Sequence, residues 1–217
     1  TWVHESRTIL SQATSTAVKV LIVGFNNWLA PVLEKHFRMQ GAEMVNVCGT
    51  SEASSYLPQL WDIILYLGGL ESDSSSVEVL FNLVQLELSL RHFREHIKNV
   101  LCIVTQGSQR LDERATGNNY HVSACAAQHG GLWTLLRCFR GEAKKNAAYL
   151  SIELPLKKNT LSDKLVFDLR NEILTFFCSG VHENAEVFLD ESGGRFVPRL
   201  VESLIPAPFS IRQLNIH

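Results

Sequence analysis

Five apolar runs, "AVKVLIVG", "AEMVNVC", "WDIILYLG", "NVLCIVTQG" and "AAYLSIELP", recur along the chain, each rich in the residues of a strand buried on both faces. Most are separated by stretches with apolar residues at helical spacing. Residues 28 to 40 form the first, closed by Gly41; "SSSVEVLFNLVQLELSLRHFREHI" is a long amphipathic helix behind a Ser-rich N-cap; residues 122 to 143 carry Gly130-Gly131 near their middle; and about 161 to 178 make the last. Parallel strands need crossover connections, and crossovers pack as helices on the sheet. After the fifth run the pattern changes: "AEVFLDESGGRFVPRL" reads as two alternating strands around an Asp-Glu-Ser-Gly-Gly turn. The expected fold is α/β, a truncated Rossmann-like parallel sheet flanked by helices, with a C-terminal β-hairpin.

At 217 residues the chain is long enough for one domain with a sizeable core, and its 46% hydrophobic and 19% charged residues place it with folded globular proteins. Residues 1–16 read as a polar lead-in or linker, 17–205 as the domain and 206–217 as a C-terminal linker. A net charge of −2 gives no electrostatic footprint for nucleic acid or an anionic membrane, and no apolar run nears the roughly 20 residues that span a bilayer. The five cysteines, Cys48, Cys102, Cys125, Cys138 and Cys178, are odd in number and set mostly among apolar neighbours, which predicts reduced, core-packed thiols and a cytoplasmic setting. The first residue is Thr1 and not Met, which suits an excised piece of a longer chain, although a processed N-terminus would look the same.

The strand-turn-helix "VLIVGFNNWLAPVLEKHF" is where a dinucleotide-binding fold would cradle a pyrophosphate. In G-x-G-x-x-G the first glycine makes the turn, the second lets the backbone approach the phosphates and the third lets the helix pack closely. Only Gly24 is present; Asn26 and Leu29 stand at the second and third positions, with bulky Trp28 beside them. The next strand ends in Cys48 and Gly49, with no acidic residue for a ribose hydroxyl before Glu52. Gly24, Asn26 and Leu29 are therefore a degenerate nucleotide site, and no cofactor-binding residue is assigned.

Other chemistry is equally sparse. A short-chain reductase needs Tyr with Lys four residues on, so that one helix presents both and the ammonium lowers the phenol pKa. Tyr56, Tyr66, Tyr120 and Tyr149 are followed at that spacing by Leu60, Leu70, Ala124 and Glu153. "HFREH", His92 to His96, matches H-x-x-E-H, but a solvated helix end explains it as well and no third ligand follows, so no metal site is assigned. Cys125 and His129 could face one another a helical turn apart, without an Asn or Asp to orient them. Gly130-Gly131 before Leu132-Trp133 suits either close helix packing or the approach of a ligand such as an acyl chain. No catalytic residue is assigned.

Val104 to Gly107, Gly130 to Glu142 ("GGLWTLLRCFRGE"), Ile152 to Pro155 and Glu186 to Leu200 ("EVFLDESGGRFVPRL") occur in an order that resembles the ketoreductase structural subdomains of polyketide synthases and animal-type fatty acid synthases. The likeness runs over residues 15 to 205 and is most specific in the C-terminal half; "RCFRGE" at 137 to 142 is closer to fungal highly reducing synthases than to bacterial modular ones. The resemblance implies a noncatalytic half, or pseudo-ketoreductase, that binds no cofactor itself and packs on a catalytic half using NADPH, or on neighbouring methyltransferase or enoylreductase domains. It also implies a homodimeric parent synthase. The alternative is a divergent free-standing NAD(P)-dependent reductase.

Overall fold

The computed structural model describes residues 2–4, 17–24, 27–70, 75–93, 99–106, 124–143, 147–155, 162–179 and 185–198. In chain order these form β1 (Trp2–His4), β2 (Lys19–Val23), α1 (Leu29–Met39), β3 (Met44–Cys48), the short α2 (Ala53–Tyr56), β4 (Ile63–Tyr66), α3 (Ser76–Phe93), β5 (Asn99–Gln106), α4 (Ala124–Gly141), β6 (Ala147–Leu154), α5 (Asp163–Ser179), β7 (Glu186–Leu189) and β8 (Arg195–Pro198).

The eight strands make one sheet in the order β3-β2-β4-β5-β6-β7-β8-β1. From β3 to β7 every neighbouring pair is parallel; β8 returns antiparallel on β7 through the expected hairpin, and β1 is antiparallel to β8. The sheet is Rossmann-like and parallel-dominated, as its alternating strands and helices predict. One addition was not legible: inside the segment read as a polar lead-in, Trp2–His4 pair with Phe196–Pro198. Residues 206–217, read as a C-terminal linker, lie outside the described residues.

Strand alternation sorts the interior into two cores. Val20, Ile22, Ile63, Leu65, Cys102 and Val104 face α1 and α5, where Leu33, Phe37, Leu169 and Ile173 meet them. Leu21, Val23, Ile64, Tyr66, Leu101 and Ile103 face the other way, under Leu83, Leu86, Trp133 and Leu136 of α3 and α4. Because both faces of the central strands are covered, their sequences read as continuous apolar runs. The hairpin turn rests on α5: Gly193 has φ of 82°, and a Cβ there would overlap the Asp168 carboxylate and lie 2.7 Å from Lys164 Nζ. Lys164 itself donates to the Ser192 carbonyl.

Candidate functional site

β2 is the strand at which the sheet order reverses, with β3 on one side and β4 on the other, so the crevice beyond its C-terminal end is where an open α/β sheet places a ligand. Gly24 makes the turn with φ of 105°, and its N–H donates to the Cys48 carbonyl at 2.8 Å. Leu67 N–H continues the ladder to the Val23 carbonyl at 2.8 Å. The first N–H groups of α1 have no partner within the helix and carry the positive end of its dipole, which is why such termini hold phosphates. Here they are taken: Asn27 Oδ1 accepts the N–H groups of Leu29 and Ala30, each at 3.0 Å, and Asn27 Nδ2 donates to the Gly24 carbonyl at 2.7 Å. By its hydrogen bonds Asn27 is the N-cap, two residues before the regular helix.

Of the three residues read as a degenerate site, Gly24 is buried at the turn, Leu29 is fully buried in the α1 core, and Asn26 lies outside the described residues. Trp28 is half-buried against that same core. Asn27 was not singled out in the sequence, although an Asn just ahead of an apolar helical period is an N-cap signal. At the end of β3, Cys48 is buried, and burial with the charge of Glu52 pushes its thiol up to about 12. Glu52 itself is exposed in the loop that opens α2.

Further along the same edge, the ends of β5 and β6 are closed by side chains. Trp133 Nε1 of α4 donates to Thr105 Oγ1 at 2.7 Å, and the Thr105 hydroxyl donates to the Glu153 carboxylate, all three residues being buried. Gln106 Nε2 donates to the Pro155 carbonyl at 2.7 Å. α4 lies close to α3: a Cβ on Gly131 would come within 3.2 Å of Leu80, whereas one on Gly130 meets nothing within 4 Å. Trp133 is thus wedged into the core beside a tight helix contact and lines no cleft among the described residues. Arg137 clamps Glu186 through two hydrogen bonds of 2.7 Å, and Arg140 adds a third at 2.8 Å. Burial works to raise the Glu186 carboxyl, but the Arg137 hydrogen bond and the two guanidinium charges outweigh it and leave the pKa below its ordinary value.

The remaining candidates are dispersed. Tyr66 donates to the Val79 carbonyl at 2.6 Å and Tyr149 to Glu87 Oε1 at 2.6 Å, so both phenols hold helix α3 to the sheet. His92 is exposed at the end of α3 with its ring edge on Phe93; Glu95 and His96 lie outside the described residues, as do Tyr120 and the side chains of Cys125 and His129. Among the described residues no three His, Cys, Asp or Glu side chains gather as a metal site. Core packing of the cysteines holds for Cys48 and Cys102 and fails for Cys138 and Cys178, which are exposed on α4 and α5 because each falls on the outward face of its helix; all four thiols are free. A shallow apolar depression lined by Leu57, Leu60, Trp61, Leu90, Phe93 and Asn99 lies at the opposite, N-terminal end of the strands. No described helix is long and apolar enough to cross a membrane.

No protein-family model matches the chain, and no curated protein matches its sequence. Solved structures share the fold. A keto acid-selecting nonribosomal peptide synthetase module, with adenylation, ketoreductase and pseudo-Asub domains, superposes with a TM-score of 0.63 at 9% identity; 91% of this chain is covered, and it spans 18% of that multidomain chain. A short-chain dehydrogenase of Escherichia coli CFT073 superposes with a TM-score of 0.57 at 10% identity, over 83% of this chain and 100% of that one. A short-chain dehydrogenase of Burkholderia cenocepacia J2315, in complex with NADP, gives 0.56 at 10% identity, over 80% and 88%. At these identities the likeness establishes the Rossmann-like fold alone.

Proposed function

We propose that this chain is a noncatalytic structural subdomain of a ketoreductase, a pseudo-ketoreductase within a cytoplasmic polyketide or fatty acid megasynthase. It binds no cofactor; the NADPH belongs to an adjoining catalytic half, and this half holds that neighbour, or a methyltransferase or enoylreductase domain, in place. The carrying observation is Asn27: its carboxamide occupies the helix N-terminus that a pyrophosphate would need, and ties it to the Gly24 turn. The absence of a Tyr-Lys pair and the order of "GGLWTLLRCFRGE" and "FVPRL" support the same reading.

A second reading, a free-standing NAD(P)-dependent reductase, is favoured by one observation: the chain matches nearly the whole length of two short-chain dehydrogenases. Isothermal titration of the chain with NADPH separates the two. The scaffold reading expects no saturable heat up to about 1 mM ligand, and micromolar binding would transfer the assignment to the reductase.

A further inference from the structure

Two arginines are buried among the described residues, and they are held differently. Arg195 of β8, 8% exposed, donates from Nε to Glu172 Oε2 at 3.0 Å. Arg170 of α5, 7% exposed, has no carboxylate: its one hydrogen bond among the described residues runs from Nη1 to Asn171 Oδ1 at 3.1 Å, and its Nε has no partner. Burial alone shifts its pKa, downward, with no neighbouring charge to offset it. Taking a cation out of water without a counter-charge costs stability, which is why buried charges are ordinarily paired.

The acids of the surrounding helices are committed elsewhere. α5 packs beside α1 on one flank and against the β7-β8 hairpin on the other. Asp168 lies on the hairpin flank beside Lys164, and Glu172 there holds Arg195. Glu34, the one acid of α1, is bound by Arg38. Arg170 stands on the opposite flank of α5, in the row Phe167, Arg170, Leu174 and Phe177, which steps by three, four and three positions. Phe167 is 44% exposed, and Leu174 and Phe177 are half-buried. A guanidinium seated among apolar side chains with most of its donors unspent is the composition of an interface hot spot. Its planar fork suits a carboxylate taken through two parallel bonds. A phosphate site would gather further cations, and the row holds none.

We propose that this row of α5 is a docking surface for a partner protein, in which Arg170 takes the carboxylate of a glutamate or aspartate and Phe167 and Leu174 pack on apolar residues one turn to either side of that acid. The inference does not depend on the functional reading, and the NADPH titration leaves it untouched. Stability and binding test it together. In the chain alone, Arg170→Met should raise the melting temperature by about 2 °C or more, because it removes an uncompensated charge and keeps the length of the stem. The binding probe is a blocked 16-residue helical peptide with leucines on one face around a single central glutamate, read by fluorescence anisotropy. It should bind the wild type with a Kd below about 100 μM, and its glutamine twin about 10-fold more weakly. Arg170→Met should bind the two peptides alike, and Phe167→Ala should weaken both. A melting temperature that falls in Arg170→Met, equal binding of the two peptides by the wild type, or no binding at about 1 mM overturns the proposal. So does saturation of the Arg170 Nε–H resonance by inorganic phosphate, which would make the row a site for a free anion, or self-association that Phe167→Ala abolishes, which would give the row to a second copy of this chain.

Discussion

Asn27 returns its carboxamide nitrogen to the Gly24 carbonyl at 2.7 Å, so the turn after β2 and the cap of α1 form one hydrogen-bonded unit. Asn27→Ala removes the cap and should cost about 1 kcal/mol, lowering the melting temperature by about 2–4 °C for a domain of this size. Asn27→Asp keeps an oxygen for the Leu29 and Ala30 N–H groups and loses only the donor to Gly24, so its melting temperature should fall between those of the wild type and the alanine variant.

The two glycines of α4 should respond differently to the same change. Gly130→Ala adds a methyl group into open space within a helix and should stabilise by about 0.5–1 kcal/mol. Gly131→Ala gains the same helix propensity but presses on Leu80 at 3.2 Å, so it should gain less or lose. Urea unfolding midpoints of the two variants, compared directly, check the order.

At the hairpin, Gly193→Ala combines a positive φ with overlap on Asp168. A cost of about 2 kcal/mol or more is expected, read as a lower midpoint at unchanged slope. Recovery of part of that loss in Gly193→Ala with Asp168→Ala would assign that part to the overlap, leaving the backbone strain as the remainder.

Glu186 makes stability depend on acid. Its pKa is depressed in the folded chain, so the unfolded state takes up the proton first as pH falls. The stabilisation is therefore complete above the unfolded glutamate value of about 4.3 and drains away as pH drops through the lower folded value. Glu186→Gln should cost about 2 kcal/mol at neutral pH, by leaving Arg137 and Arg140 without their carboxylate, and should flatten the loss between neutral pH and pH 3. Chemical unfolding at stepped pH measures both.

Much of the architecture is written locally. β2, β4, β5 and β6 are buried on both faces, so their apolar runs are unmistakable, and the Gly-Gly turn marks the hairpin without reference to anything distant. Trp2–His4 was not legible because a three-residue strand has no period, and its partner lies almost a full chain length away at Phe196–Pro198. Asn27 is not marked by the motif for a different reason: the dinucleotide fingerprint is defined by fixed offsets from Gly24, and the residue that caps α1 falls between them. α3 reads in the sequence as an ordinary amphipathic helix, and spacing alone does not show that Val77, Phe81 and Leu88 stand exposed on its outer side. Burial of Glu87 and Glu153 depends on Tyr149 and Thr105 across strand and helix contacts, which spacing along the chain does not encode.

The pairing of β1 with β8 sets a limit on when the fold can be finished. Trp2–His4 are synthesised long before their partner, yet their hydrogen-bonding edge exists only after Arg195–Pro198 have emerged and turned back on β7. The β1 segment must wait through synthesis of the whole stretch between the two strands, and closing so long a loop comes late in folding. During that interval the outer edge of the growing sheet stays unpaired, and a nascent chain stalled before residue 195 should be the form most in need of a chaperone.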